Sequence, residues 1–327
     1  MTTRSAVARV VDAVLEAPVA PSFTRIGYDV RSRTEHWTAL DSYDLNGRVI
    51  VITGPTSGLG LAAATQLAAC GATLVLVGRD RARTERIREQ LPPAGGATHS
   101  VVVADLSDLA SVRAAASEIA ATHDRIDVLI HNAGALGASR QENADGIEIT
   151  VAAQVVGPFL LTSLLLDRLR AAAAGRVITV SSGGMYSAAL TVDHLEMGDD
   201  YRGTEQYARA KRAQVTLNEM WAERFAGSGV VFQAMHPGWA DTPGVEASLP
   251  TFRKVVGRLL RTPEQGADTM VWLAADDGEP LSHSGGFWLD RSVRSLHKLP
   301  STRRSDTAER RAALWEWCVR RSGVEPG

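Results

Sequence analysis

The sequence predicts an α/β protein in one domain, a doubly wound parallel sheet of about seven strands with helices on both faces. Three observations predict it. From Arg48 onward, short apolar β-branched runs alternate with helix-period stretches, as expected for parallel strands joined by crossover helices. The first run leads straight into a glycine-rich turn and then a helix, an order that is Rossmann-like. No internal repeat or low-complexity linker divides the 327 residues.

Residues 1–46 precede this pattern. Val7, Val10, Val11, Val14 and Leu15 recur at helical spacing, giving one amphipathic helix that ends before Pro18. It is expected to pack on the body as an arm, with a weak membrane-surface contact as the sharper alternative. In the main domain, 47–290, strands are expected at Val49–Thr53, Thr73–Val77, Ser100–Ala104, Asp127–His131, Arg176–Val180 and Val230–Met235, with a weaker one near Phe287–Leu289. Helices are expected at 58–69, 80–90, 109–122, 145–170, 205–225 and 263–275, and right-handed crossovers place them on both faces. The tail, 291–327, carries a helix over 305–321, capped by Ser305 or Asp306 and packing through Leu314, Trp315 and Cys318.

Composition narrows the function. A net charge of −2 leaves no basic field for a nucleic acid. Cys70 and Cys318 build neither a disulfide framework nor a zinc site, and the eight histidines show no HExxH pairing, so no metal is expected. With no signal-peptide pattern, the reading is cytoplasmic. Val49–Gly78 and Ile149–Leu166 are uncharged, but glycines and prolines break them. They read as strand–turn–helix–strand and as a buried interface helix rather than as transmembrane spans.

Chemistry concentrates at strand ends. The first strand runs into Thr53-Gly54-Pro55-Thr56-Ser57-Gly58-Leu59-Gly60. Glycines there allow a tight turn and close backbone approach to a pyrophosphate, and the following helix offers amide donors; a turn that binds nothing is the bland alternative. After the second strand an NAD site usually places Asp or Glu, but here Gly78 is followed by Arg79. A guanidinium suits a 2′-phosphate, so NADP(H) is favoured over NAD(H), unless Arg79 merely opens the next helix beside Asp80. Tyr207 and Lys211 stand one helical turn apart, where an ammonium can stabilise a phenolate. Only three of the 35 basic residues are lysines, so one at this spacing is not background usage. The fifth strand ends at Ser181-Ser182-Gly183-Gly184, whose hydroxyls can face the cleft at the strand C-termini.

Together these segments resemble the short-chain dehydrogenase/reductase family over roughly residues 48–290. The matches are TGxxxGxG at Thr53–Gly60, Asp105-Leu106, Asn132-Ala133-Gly134, Ser182, the Tyr207–Lys211 pair and Pro237-Gly238 with Thr242, in the family's order. The GxxxGxG spacing disfavours a sugar-nucleotide epimerase, whose branch uses a TGxxGxxG-type loop. The resemblance implies Tyr207 as general acid or base, Lys211 holding the nicotinamide ribose, and Ser182, rather than Ser181, bonding the substrate oxygen. It further implies Asp105 at the adenine, Asn132–Gly134 lining the cofactor, and Thr242 at the carboxamide or phosphates. A homo-oligomer is compatible with it.

One position departs from the family, which usually carries an Asn in a water-mediated proton relay to the lysine. Here Gln154-Val155-Val156-Gly157-Pro158-Phe159 puts Gln154 in that place. Pro158 has no amide hydrogen to bond the Gln154 carbonyl, so the expectation is that this freed carbonyl carries the relay water. His131 similarly replaces a usual Asn, while Trp288, Trp315 and Trp317 read as packing residues. Residues 185–204 and 239–262 lie where substrate lids would be, and Met185, Tyr186, Leu190, Leu195, Trp239 and Leu249 suggest an apolar substrate. The expected function is an NADP(H)-dependent oxidoreductase interconverting a carbonyl and an alcohol on an apolar small molecule. The alternative is a nucleotide-binding regulatory module with lost or weak turnover.

Overall fold

The computed structural model of the protein describes residues 6–16, 20–93, 98–134, 136–248 and 250–327. Its strands are β1 (Val49–Thr53), β2 (Thr73–Gly78), β3 (Ser100–Val103), β4 (Val128–His131), β5 (Gly175–Val180), β6 (Val230–Met235), β7 (Phe287–Leu289) and β8 (Ser292–Val293). They form one sheet in the order β3-β2-β1-β4-β5-β6-β7-β8, parallel except for the β7–β8 hairpin. That hairpin adds a strand to the seven expected; its turn residues Asp290 and Arg291 have φ of 53° and 52°, as a two-residue primed turn requires. Central strands such as β1 and β2 are buried on both faces, which is why they read as continuous rather than alternating apolar runs.

Helices cover both faces. On one, α6 (Leu109–Thr122), α8 (Gly157–Arg170), α9 (Gly203–Arg224) and the terminal α14 (Ala308–Ser322) pack with Val51, Val75, Leu129, Val177 and Phe232. On the other, α4 (Gly58–Ala69) and α12 (Pro263–Ala275) enclose Ile50, Ile52, Leu74, Leu76 and Ile178. Local chemistry sets the starts: Asp80 caps α5 (Arg81–Gln90), Asp108 caps α6, and Thr262 with Gln265 forms a capping box on α12. Strand order reverses between β2 and β4 around β1, so the cleft lies at the carboxyl ends of these strands.

Several expectations are corrected. The helix expected over 145–170 begins only at Ile149, because Asn143 Oδ1 accepts from Asp145 and Ile147 N–H and folds the preceding residues into a turn. It runs as α7 (Ile149–Val151), a wide π-type turn (Ala152–Val156) and then α8, the interruption that Pro158 demands. Ile149–Arg170 is the one helix among the described residues long and apolar enough to cross a membrane. Of its most apolar stretch, 78% lies inside the fold. The tail is two helices, α13 (Pro300–Ser305) and α14, and the cap of α14 is Thr307, whose side chain accepts from Arg310 N–H. Asp306 instead pairs with Arg311 and His297. Leu314, Trp315 and Cys318 do form the packing face, with the Trp315 ring 5.0 Å from Phe159 and 4.9 Å from Trp221.

The arm holds more than one helix: α1 (Ala6–Glu16), α2 (Ala20–Phe23) and α3 (Arg25–Thr34), then a short turn at Leu40–Ser42. Arg31 of α3 is fully buried and locks it to the body, donating to Asp290 and Asp12 at 2.7 Å each. The substrate-side segment carries α10 (Pro243–Ser248) and α11 (Pro250–Val256); Leu249 lies outside the described residues.

Candidate active site

The glycine turn is built by close approach. Gly54 has φ +68°, and a Cβ on Gly60 would lie 2.1 Å from the Gly54 carbonyl and 2.4 Å from Asn132 Nδ2. Asn132 is therefore a staple: its Nδ2 donates to the carbonyls of Thr53 at 2.9 Å and Gly54 at 3.1 Å, while Thr53 Oγ1 accepts from the Asn132 and Ala133 amides. Ser57 stands at the N-cap of α4, but its side chain makes no capping bond, so the first amides of that helix remain available to an anion. Thr56 and Ser57 are partly exposed beside them. Leu59 and Leu106 are closely packed beside the turn. Leu59 Cδ2 would lie 2.6 Å from a Cβ on Gly266, and the Leu106 carbonyl 2.3 Å from one on Gly157.

At the end of β2, a Cβ on Gly78 would collide with Thr84 Oγ1 at 2.3 Å, so the position is held small by packing. Arg79 follows it, exposed. Sequence reasoning missed Arg83, whose guanidinium donates to the Thr56 carbonyl at 3.3 Å and so joins α5 to the glycine turn. Only its spacing one turn beyond Arg79 could have pointed to it. Asp105 uses Oδ1 to accept from the Ser107 amide and hydroxyl at 2.9 and 2.7 Å.

Ser182, Tyr207 and Lys211 converge at the ends of β5 and α9. Ser181 is spent on structure, its hydroxyl donating to the Lys211 carbonyl at 3.2 Å. Ser182 Oγ accepts from Gly184 N–H at 3.2 Å, and a Cβ on Gly184 would lie 3.7 Å from Ser182 Oγ and 4.0 Å from Tyr207 Cδ1, so the two side chains are neighbours. The Lys211 ammonium lies 5.3 Å from the Tyr207 ring centre and donates to the Val180 carbonyl at 2.9 Å. Burial holds the Tyr207 phenol above its ordinary range, and the neighbouring Ser182 hydroxyl offsets part of that rise. Burial also pushes Lys211 down to about 7. The lysine thus carries less charge near neutrality than its spacing suggested.

The carbonyl relay is corrected. Pro158 does free the Gln154 carbonyl, but Gln214 Nε2 takes it at 2.6 Å. The Gln154 side chain and the lysine both flank Gly134: a Cβ there would lie 3.2 Å from Gln154 Oε1 and 3.4 Å from Lys211 Nζ. Behind it, Gln154, His131, Thr162 and Gln214 line a cavity of about 30 Å³, in which His131 Nε2 pairs with Thr162 Oγ1 at 2.7 Å.

Pro237 and Gly238 follow β6, with Gly238 at φ +74°, and Thr242 caps α10, lying where a Cβ on Gly58 would touch it at 3.2 Å. The lid expectation is corrected too. Met185, Leu190 and Leu195 are at most 1% exposed and Tyr186 only 8%, so they belong to the core; Trp239 is half-buried, its ring 5.1 Å from Phe252. Trp288 and Trp315 are buried as expected, and Trp317 is partly so.

Comparisons agree with this geometry. The family profile described as short chain dehydrogenase matches residues 48–251. Dehydrogenase/reductase SDR family member 12 from Homo sapiens is 38% identical over 290 residues, spanning 88% of this chain and 90% of that protein. The stretches Val180–Met185 and Met235–Gly244 also resemble that subgroup. Retinol dehydrogenase 14 from Mus musculus is 34% identical over 83% of this chain and 85% of its own length. A short-chain dehydrogenase from Shigella flexneri, solved with NADP, superposes with a TM-score of 0.61 at 25% identity, covering 77% of this chain and all of that one. A profile match over more than half of the chain, meeting a glycine turn, a strand-end serine and a Tyr–Lys pair around one cleft, places this chain in the short-chain dehydrogenase/reductase family, as an NAD(P)-dependent oxidoreductase of small-molecule carbonyls or alcohols.

Proposed function

We propose that the protein is an NADP(H)-dependent carbonyl reductase or alcohol dehydrogenase acting on an apolar small molecule. The observation that carries this is the convergence of Ser182 and Tyr207 around Gly184, with Lys211 Nζ 5.3 Å from the Tyr207 ring centre and beside Gly134. When bound, the nicotinamide supplies or accepts the hydride. In reduction Ser182 orients the substrate oxygen and the Tyr207 hydroxyl passes it a proton; in oxidation Tyr207 takes that proton back. Lys211 keeps one donor on Val180 and offers the others to the ribose hydroxyls. The residues present fit the cofactor: uncapped α4 amides for the pyrophosphate, Asp105 Oδ2 for the adenine amine, Asn132–Gly134 as a wall, and Pro237, Gly238 and Thr242 at the carboxamide end.

Preference for NADP(H) over NAD(H) rests on Gly78, which offers no carboxylate, and on Arg79 with Arg83 beside Thr56. Trp239 and Phe252, half-buried on the substrate side, support an apolar substrate, as does the likeness to a retinol dehydrogenase. Two buried free thiols suit a cytoplasmic enzyme. The convergence of Ser182, Tyr207 and Lys211 weighs against a binding module without turnover. NADPH consumption over a panel of carbonyls tests the assignment. Tyr207→Phe is expected to lower kcat by about 10²–10⁴-fold while NADPH still binds. Retention of most activity in that variant would overturn the mechanism.

A further inference from the structure

The arm ends at the substrate side of the cleft. Phe23, the last residue of α2, is 4% exposed, and its ring meets His236 edge-on at 4.4 Å between centroids and Trp239 at 5.8 Å. A Cβ on Gly183, the residue after Ser182, would lie 2.9 Å from both Phe23 Cε2 and His236 Nε2. The segment that presents Ser182 thus rests directly on this pair of rings. His236 is buried, and neither of its ring nitrogens has a hydrogen-bond partner among the described residues, so packing against Phe23 is what fixes it.

The same turn holds the loop after β6. Trp239 N–H donates to the Phe23 carbonyl at 2.7 Å. Arg261, 1% exposed, donates to the carbonyls of Ser22 at 2.9 Å, Phe23 at 3.1 Å and Pro237 at 3.4 Å, and forks onto both carboxylate oxygens of Asp290. Gly238 must be glycine at this place because a Cβ would sit 2.3 Å from Arg261 Nε. Asp290 in turn receives Arg31, so arm, hairpin and loop close on one buried carboxylate.

We propose that the arm is part of the substrate site, with Phe23 and Arg261 as positioning residues. Phe23 sets the height of Ser182–Gly184. The Phe23 carbonyl and Arg261 together set the Pro237–Thr242 loop, and through Trp239 they shape the end of the cleft that admits bulky, ring-bearing apolar carbonyl compounds. This specificity role rests on the functional reading above, whereas the mechanical link does not.

Two measurements test it on the full chain. For bulky ring-bearing ketones, Phe23→Ala is expected to raise KM at least tenfold, and at least threefold more than for a small ketone, with the NADPH Kd within twofold of the parent. Phe23→Leu, which keeps the apolar volume, should recover most of the loss. If Phe23→Ala does not fold, Phe23→Val carries the same expectation. By amide hydrogen exchange, protection at 182–184 and 238–242 should fall at least tenfold in the ring-less variant while β1, β2 and β4 are unchanged. Unchanged KM across the ketones in an active, folded variant overturns the specificity role. If the parent turns over nothing on the panel, the functional reading falls instead. Exchange then decides the arm alone, and unchanged protection at 182–184 and 238–242 overturns the link.

Discussion

Lys211 is buried for chemistry at a cost to stability, and the cost has a sign and a pH window. The folded state pushes its ammonium from an ordinary 10.5 down to about 7, because the side chain is 2% exposed and desolvated. Above pH 10.5 the lysine is neutral in both folded and unfolded chains, so it carries no penalty. As pH falls toward 7 the unfolded chain takes up a proton that the folded chain resists, and stability drops; below 7 both are charged and the loss is complete. A shift of this size corresponds to roughly 5 kcal/mol as an upper bound. Lys211→Met removes that penalty but also leaves the Val180 carbonyl without its donor, which costs about 1–3 kcal/mol. The net expectation is a variant more stable than the parent by about 2–4 kcal/mol at pH 6, with the gain shrinking and reversing by pH 10. Urea denaturation of both proteins without added cofactor, from pH 6 to 10, measures it. The same variant should lose turnover, as the Tyr207 proton path loses its lysine. A stability difference that stays flat across that range, or a variant less stable at pH 6, would refute the reasoning.

Three further outcomes follow from named contacts. Arg79→Ala and Arg83→Ala should each weaken NADPH more than NADH, by about 1.5–3 kcal/mol for a lost charge-assisted contact. Equal losses in fluorescence titrations with both cofactors would remove the 2′-phosphate role. Gln214→Leu removes the 2.6 Å bond from Gln214 Nε2 to the buried Gln154 carbonyl and should cost about 1–3 kcal/mol of unfolding free energy, read from urea midpoints. Gln154→Ala should lower kcat more than tenfold, about 1.4 kcal/mol, because the side chain lies beside Gly134 and Lys211; a kcat within twofold of the parent would show the side chain idle.

The sheet was legible because its central strands are continuous apolar runs and its helices begin at ordinary caps. β8 was not, because two residues have no periodicity to read and their turn is non-glycine, stabilised by ion pairs from Arg31, Arg261 and Asp268 across the chain. The arm's second and third helices were hidden for a related reason. Ten residues of α3 are mostly polar, and Arg31 is buried only because Asp290 lies some 260 residues away in sequence to receive it. At the site, the glycine turn and the Tyr207–Lys211 pair follow local spacing. Arg83 and Gln214 do not, since each acts on a carbonyl of a different element. The supposed lid residues Met185, Leu190 and Leu195 show the converse limit: an apolar residue in a loop looks the same in sequence whether it caps the cleft or fills the core.

The two departures from the family pattern, His131 and Gln154, meet in one place, and that bears on whether the relay has decayed. Both line the cavity of about 30 Å³ beside Gln214. Burial pushes His131 down to about 3, so its ring is neutral at working pH and serves as a hydrogen-bonding partner for Thr162 rather than as a charge. Pro158 takes the helical donor from the buried Gln154 carbonyl, a cost of about 1–3 kcal/mol if nothing replaced it. Here Gln214 donates to that carbonyl, the backbone runs as a π-type turn over Ala152–Val156, and the side chain of Gln154 lies beside Gly134 and Lys211. Loss of function under no constraint would not be expected to supply a donor for the freed carbonyl while placing the amide beside the lysine. In this chain the two glutamines act together: Gln214 holds the Gln154 carbonyl, and the Gln154 side chain lies beside Gly134 and Lys211.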